Sequence, residues 1–230
     1  NGVRVHVRSQ HNATNKLGHH AGQPGLVSYN AAGNRVLLLN RGSEDLFLYK
    51  VNGSDFEYMT AFPPRFRHQE RAPLDTTTPM GDIPLGMVVV DDASTQNDDA
   101  LVYIHNEGNR TVSTLRVNWK TGEIAKERSQ IGLLTTPDRM TASQVLGQEM
   151  FEDASRAQIA GHFNNSCASC HFEGGEDGLV WQRPAGPRST MPMYGGIRAT
   201  GLLLWKGQRL NAGETGPMFH GENGGTGAFT

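Results

Sequence analysis

The sequence predicts a mixed fold: a strand-rich N-terminal region over residues 1–130, then a mainly α, loop-rich region over residues 131–230. Three observations predict it. Short apolar runs alternate with polar, glycine-bearing turns in the first part. Two of those passages repeat at a fixed offset. From about Ile131 a helical spacing takes over and leads into a segment that holds both cysteines of the chain.

Arg35–Asn40 is the first clear strand, followed by the polar turn Arg41–Asp45 and a second strand, Leu46–Val51. Leu101–Asn106, Glu107–Arg110 and Thr111–Val117 repeat that layout. Asn40 maps to Asn106, Gly42 to Gly108, Leu46 to Val112 and Val51 to Val117, each 66 positions apart. A further strand precedes each copy, at Gly25–Tyr29 and Gly86–Val90. The second copy carries an acidic, polar insert at Ser94–Asp99, and the Pro- and Thr-rich stretch from Phe62 to Pro79 reads as a long loop. Repeated β units of fixed layout predict propeller blades, although the offset exceeds the usual ~40–50 residues of a blade. The wording Asn40-Arg41-Gly42-Ser43 followed by Leu46–Val51 resembles the YVTN-type propeller repeat. Two blades do not close a ring of the usual ~4–8. Either further blades lie outside this chain or the sheets pack on something else. The alternative is a meander of unrelated hairpins.

Thr136–Phe151 reads as a helix, with Thr136 as cap, Pro137 in the first turn, and Met140, Val145, Leu146, Met150 and Phe151 as an apolar stripe. Beyond it stands Cys167-Ala168-Ser169-Cys170-His171, the C-x-x-C-H word of covalent haem attachment. Two thiols at that spacing add across the haem vinyl groups, and the adjacent imidazole is offered to the iron as proximal ligand. One covalent haem c is therefore the expected cofactor, and the C-terminal region is expected to be a cytochrome c-type haem domain. A zinc knuckle would need a second ligand pair, which His162 and His220 do not make. A thioredoxin-like dithiol would need an apolar strand ahead of it, and Gly161–Ser166 is not one.

Composition narrows the function classes. Hydrophobic residues are 37% and charged residues 19% of 230, with 28 glycines, so a core forms within a turn-rich chain. A net charge of -2 gives no support to nucleic-acid binding. The longest apolar runs, Val36–Leu39 and Met87–Val90, are strand-sized and far short of the ~18 residues of a membrane span. The opening Asn1-Gly2-Val3 carries no leader and the close, Gly221–Thr230, is glycine-rich, so a mature or trimmed chain is expected. Haem attachment occurs outside the cytoplasm, so periplasmic or extracellular residence is expected. His6, His11, His19, His20 and His68 show no ligand spacing, and Asp91-Asp92 and Asp98-Asp99 read as solvated loop.

Cys167–His171, Asp177-Gly178, Trp181, Gly186-Pro187-Arg188 and Leu204–Arg209 follow one another in an order that resembles the first haem domain of bacterial di-haem cytochrome c peroxidases and their MauG-like relatives. The resemblance covers about Gln144–Glu222. It implies Arg188 and Trp205 as haem-contacting residues and Glu222, after Gly216-Pro217, as the catalytic acid–base group. The chain departs from that family in having one C-x-x-C-H and no histidine in Leu179–Arg183. The sixth iron position is left to Met191, Met193, Met218 or His220, with His162 a further imidazole. A methionine there suits electron transfer; an open position suits peroxide. The expected function is electron transfer through one haem. The alternatives are a peroxidase or MauG-like oxidase and a propeller-type binding module with a structural haem. The expected partners are a redox protein or second haem subunit, with peroxide as a possible substrate.

Overall fold

The computed structural model describes residues 23–63, 80–91, 98–133, 140–154, 166–182 and 186–194. Two antiparallel sheets dominate them. The first contains β1 (Pro24–Tyr29), β2 (Arg35–Asn40), β3 (Asp45–Asn52) and β4 (Asp55–Phe62), side by side in chain order. The second contains β5 (Pro84–Asp91), β6 (Asp99–Asn106), β7 (Thr111–Asn118) and β8 (Ile124–Gly132), in the same order. Each is the up-and-down four-stranded meander of a propeller blade.

The 66-residue repeat is real at the level of single hydrogen bonds. Asn40 ends β2 fully buried, and its Nδ2 donates to Asp45 Oδ1 at 2.8 Å. Asn106 ends β6 equally buried, and its Nδ2 donates to Thr111 Oγ1 at 3.0 Å and Ser113 Oγ at 2.9 Å. Each asparagine pins the next strand across a four-residue turn. The last residue of each turn, Glu44 or Arg110, is left-handed, with φ of 53° and 51°. Such a residue lets a hairpin of this length follow the strand twist. Gly108 is required for a different reason: a Cβ there would lie 2.9 Å from Asp82 Cβ, because its N–H reaches the Asp82 carbonyl at 2.9 Å.

The sheets pack face to face. Leu37, Leu39, Leu46 and Leu48 of the first meet Ala100, Val102, Ile104, Leu115 and Val117 of the second in one core. In the second sheet this leaves a period of two: β6 alternates half-buried and buried along its whole length. In the first sheet β2 is buried on both faces, and it is accordingly a continuous apolar run. Leu38, Phe47 and Ala61 form its second, smaller core, with Tyr49 against it. Polar ties cross the seam. Arg35 Nε donates to the Trp119 carbonyl at 2.8 Å, and the buried Glu44 carboxylate accepts from Ile83 N–H at 3.0 Å.

Phe47, Tyr49 and Tyr58 form an edge-on aromatic cluster, with Tyr49 and Tyr58 centroids 5.9 Å apart. Burial, then the Asp45 charge, pushes the Tyr58 hydroxyl up to about 12; burial, then Tyr58 and Asp45, pushes Tyr49 higher still. The unfolded chain releases these protons near pH ~10, while the folded sheet holds them. Their contribution is thus complete below pH ~10 and lost as pH rises through the folded values. The expected result is alkaline destabilisation over that window, read by urea unfolding. It shrinks in the double variant Tyr49→Phe, Tyr58→Phe, which keeps both rings and removes both titrating groups.

The predicted strands at 25–29, 35–40, 46–51, 86–90, 101–106 and 111–117 all lie within observed ones, whereas β4 and β8 have no counterpart in the sequence reading. The mainly α, loop-rich cytochrome c-type domain is corrected. After β8 the described residues hold α1 (Ala142–Glu152), a single turn α2 (Cys167–Cys170), a 3-10 turn at Phe172–Gly174, and the two-residue strands β9 (Val180–Trp181) and β10 (Arg188–Ser189). Gly174, Gly178 and Gly186 have φ of 76°, 68° and 99°, which no right-handed helix admits. Helix α1 begins later than predicted. Thr141, not Thr136, is its cap, in a reciprocal box with Gln144. Its buried side chains are Glu149 and Glu152, while Leu146 of the expected apolar stripe is 49% exposed. Thr136 and Pro137, most of the 62–79 loop and most of the 94–99 insert lie outside the described residues. None of the described helices is long and apolar enough to cross a membrane.

Candidate functional site

The C-x-x-C-H segment folds as one helical turn. Ser166 N–H donates to Ser169 Oγ at 2.9 Å, and His171 N–H closes the turn on the Cys167 carbonyl at 2.9 Å. Residues three and four apart share a helix face, so this turn presents Cys167, Cys170 and His171 on one side. Neither cysteine is in a disulfide, and both are half-buried. The chain then tightens, with Gly174 N–H on the His171 carbonyl at 2.8 Å. The segment that carries Met191 and Met193 returns onto this tight turn: the Met193 and Tyr194 N–H groups both donate to the Gly174 carbonyl, at 2.6 and 3.2 Å.

Three contacts fasten this segment and α1 to the rim of the first blade. Gln23, just ahead of β1, donates through Nε2 to Ser166 Oγ and, at 3.3 Å, to Ser169 Oγ. Arg41, in the β2–β3 turn, pairs with Glu152 at the end of α1, Nη2 to Oε1 at 2.8 Å, with 13% and 8% of the two side chains exposed. Ala154 N–H donates to the Gly42 carbonyl at 2.8 Å.

The electrostatics follow from that enclosure. Burial pushes the Cys167 thiol up to about 11, with Cys170 and the Glu152 carboxylate adding to the effect. Cys167 is thus a neutral thiol at neutral pH, unlike the low-pKa cysteine of a redox dithiol. Burial also raises the Glu152 carboxyl; Arg41 opposes this and Glu173 reinforces it. Several buried polar atoms at this junction have no hydrogen-bond partner: Gln23 Oε1, Arg41 Nε, Glu152 Oε2 and His171 Nδ1. Such atoms are rare in folded proteins, and an ordered water or a bound group satisfies them.

The residues expected to build the site divide into three sets. Cys167, Cys170 and His171 stand together. Arg188 lies in β10, its Nη1 donating to the adjacent Pro187 carbonyl at 2.7 Å, and Met191 and Met193 are half-buried. Trp205, Met218, His220, Glu222 and His162 lie outside the described residues. Asp177 and Trp181 prove to be partners, with Nε1 on Oδ2 at 2.8 Å. Slight burial pushes the Asp177 carboxyl up, but hydrogen bonds from Leu179 N–H, Thr190 and Trp181 outweigh it and hold the group below the ordinary range. Gln23, Arg41 and Glu152 had no signal in the spacing, since Arg41 and Glu152 are 111 positions apart. The Thr141-to-Gln144 capping box was readable in the sequence and would have placed Glu152 in the last turn of α1.

No family model matches the chain, and no curated protein matches it. Among solved structures, the periplasmic gluconolactonase PpgL of Pseudomonas aeruginosa aligns at 14% identity and a TM-score of 0.34, over 50% of this chain and 26% of that one. A Lactobacillus plantarum protein aligns at 15% and 0.34, over 54% and 32%. The exo-β-1,3-galactanase 1,3Gal43A of Clostridium thermocellum aligns at 16% and 0.27, over 44% and 22%. The chain thus spans at most about a third of the length of these structures.

The expected membership of the di-haem cytochrome c peroxidase and MauG-like family is corrected. No family model matches the chain, and after α1 the described residues of the region that carried the resemblance form short turns and a two-stranded ribbon rather than a mainly α haem domain. The cytochrome c-type, electron-transfer and peroxidase-like oxidoreductase expectations are corrected as well. What stands, on the topology of its two sheets and the seam between them, is a propeller-type module.

Proposed function

We propose that the chain is a propeller-type binding module that carries one structural haem c, tethered through Cys167 and Cys170 and ligated by His171. The observation that carries the reading is the single turn Cys167–Cys170, with two cysteines outside any disulfide on one face and the imidazole directly after them. Cys167 and Cys170 would each add S–H across one vinyl C=C, sulfur to one carbon and hydrogen to the other with nothing leaving, and a haem held there would supply an iron centre and a large apolar surface. The chain's own residues do the rest: Gln23, Arg41 and Glu152 hold the attachment turn against the first blade. Burial of Cys167 disfavours the thiolate that a metal knuckle would need. Among the described residues no group of three His, Cys, Asp or Glu side chains could hold a metal ion. Because haem attachment occurs outside the cytoplasm, this reading carries extracytoplasmic residence with it.

The test is the intact mass of the denatured full chain after expression alongside a haem-attachment system. The expected adduct is one haem, lost in the double variant Cys167→Ala, Cys170→Ala. A polypeptide mass equal to that of its amino acids, with both thiols open to alkylation, overturns the reading.

A further inference from the structure

The unpartnered atoms at the junction have complementary chemistry. Glu152 is 6% exposed; its Oε1 is taken by Arg41 at 2.8 Å and its Oε2 is buried without a partner. His171 Nδ1 is likewise buried without a partner. The two residues sit on α1 and at the end of α2, elements packed against each other. An imidazole that binds a metal through Nε2 carries its proton on Nδ1, and that proton needs an acceptor, commonly a carboxylate or backbone carbonyl. A buried carboxylate oxygen without a partner, on the neighbouring helix, is such an acceptor.

We propose that Glu152 is the positioning residue for His171, its Oε2 accepting, directly or through one water, the Nδ1–H of the haem-ligating imidazole. This rests on the haem reading above. Arg41 fixes the other oxygen, so the first blade sets where the carboxylate stands. The propeller module would thereby control the orientation and basicity of the iron ligand through an ion pair that does not touch the iron. A stronger acceptor makes the imidazole a stronger donor and favours ferric over ferrous iron.

The experiment uses the haem-loaded full chain and its Glu152→Gln variant, each first checked for its haem adduct by intact mass. Absence of haem from the parent overturns the underlying reading and not this inference alone. With haem present in both, the expected result is a higher midpoint potential in Glu152→Gln. In the reduced protein under carbon monoxide, the His171 Nδ1–H proton resonance is expected to move upfield. An unchanged potential together with an unmoved resonance overturns the inference. Should Glu152→Gln not fold, Arg41→Lys serves. It keeps the charge but not the guanidinium geometry, and the same resonance is expected to shift while haem stays bound; no shift overturns the inference there too.

Discussion

Leu48→Ala is expected to lower the unfolding free energy by about 3.5 kcal/mol, the middle of the range for emptying a fully buried leucine site. Leu48 has no exposed surface and stands where the two blades meet. Its Cδ2 lies under Gly122 of the β7–β8 turn, 3.9 Å from where a Cβ there would sit, so the cavity would open beside a turn held by its own hydrogen bonds. Met59, beside it, is the flexible side chain best placed to refill the space, and its partial collapse sets how far the loss falls below the maximum. Urea unfolding followed by circular dichroism measures it, as a lower midpoint with unchanged slope. Leu26→Ala is the control: Leu26 pairs with Leu39 across β1 and β2 but is 36% exposed, so a much smaller loss is expected. Equal losses in the two variants would mean that the seam is not where the stability resides.

The strands of this seam were readable because burial and period agree there. Val36–Leu39 is apolar throughout and is buried on both faces; Leu101–Asn106 alternates and is buried on one. The repeat was readable because Asn40 and Asn106 do the same work, and a buried amide that pins a turn leaves little choice of residue. β4 and β8 escaped because Asp55–Phe62 and Ile124–Gly132 are outer strands, mostly exposed or half-buried, with charged residues that blur the alternation. In the C-terminal part the chemistry of Cys167, Cys170 and His171 was visible as a word, since thiol spacing is local. The architecture around it was not. Helix α1 buries glutamates rather than the apolar stripe, because its inner end faces Arg41 and the attachment turn rather than an oily core. Partners 111 and 143 positions apart, Arg41 with Glu152 and Gln23 with Ser166, leave no trace in sequence spacing.

Arg41→Met tests whether that long-range junction holds the attachment segment in place. The pair is largely dehydrated, and removing one member of a buried ion pair costs about 3–5 kcal/mol, because the other is left as an uncompensated charge. Here part of that cost can be relieved. Glu152 already has its carboxyl raised by burial, so losing Arg41 favours the protonated form and a neutral group. The loss is therefore expected at the lower end, about 3 kcal/mol, and to fall as pH is lowered towards the raised carboxyl value. It is also expected to be local. Neither residue belongs to the sheet core, whereas α1 and the turn at Cys167–Cys170 are fastened to the first blade by this pair, the Gln23 contacts with the Ser166 and Ser169 hydroxyls and the Ala154 to Gly42 bond. Amide hydrogen exchange is the measurement: faster exchange over 142–154 and 166–175 in Arg41→Met, with β2, β3, β6 and β7 as protected as before. Uniform loss of protection across both sheets would show that the pair serves global folding, and the picture of a rim-mounted attachment segment would have to be given up.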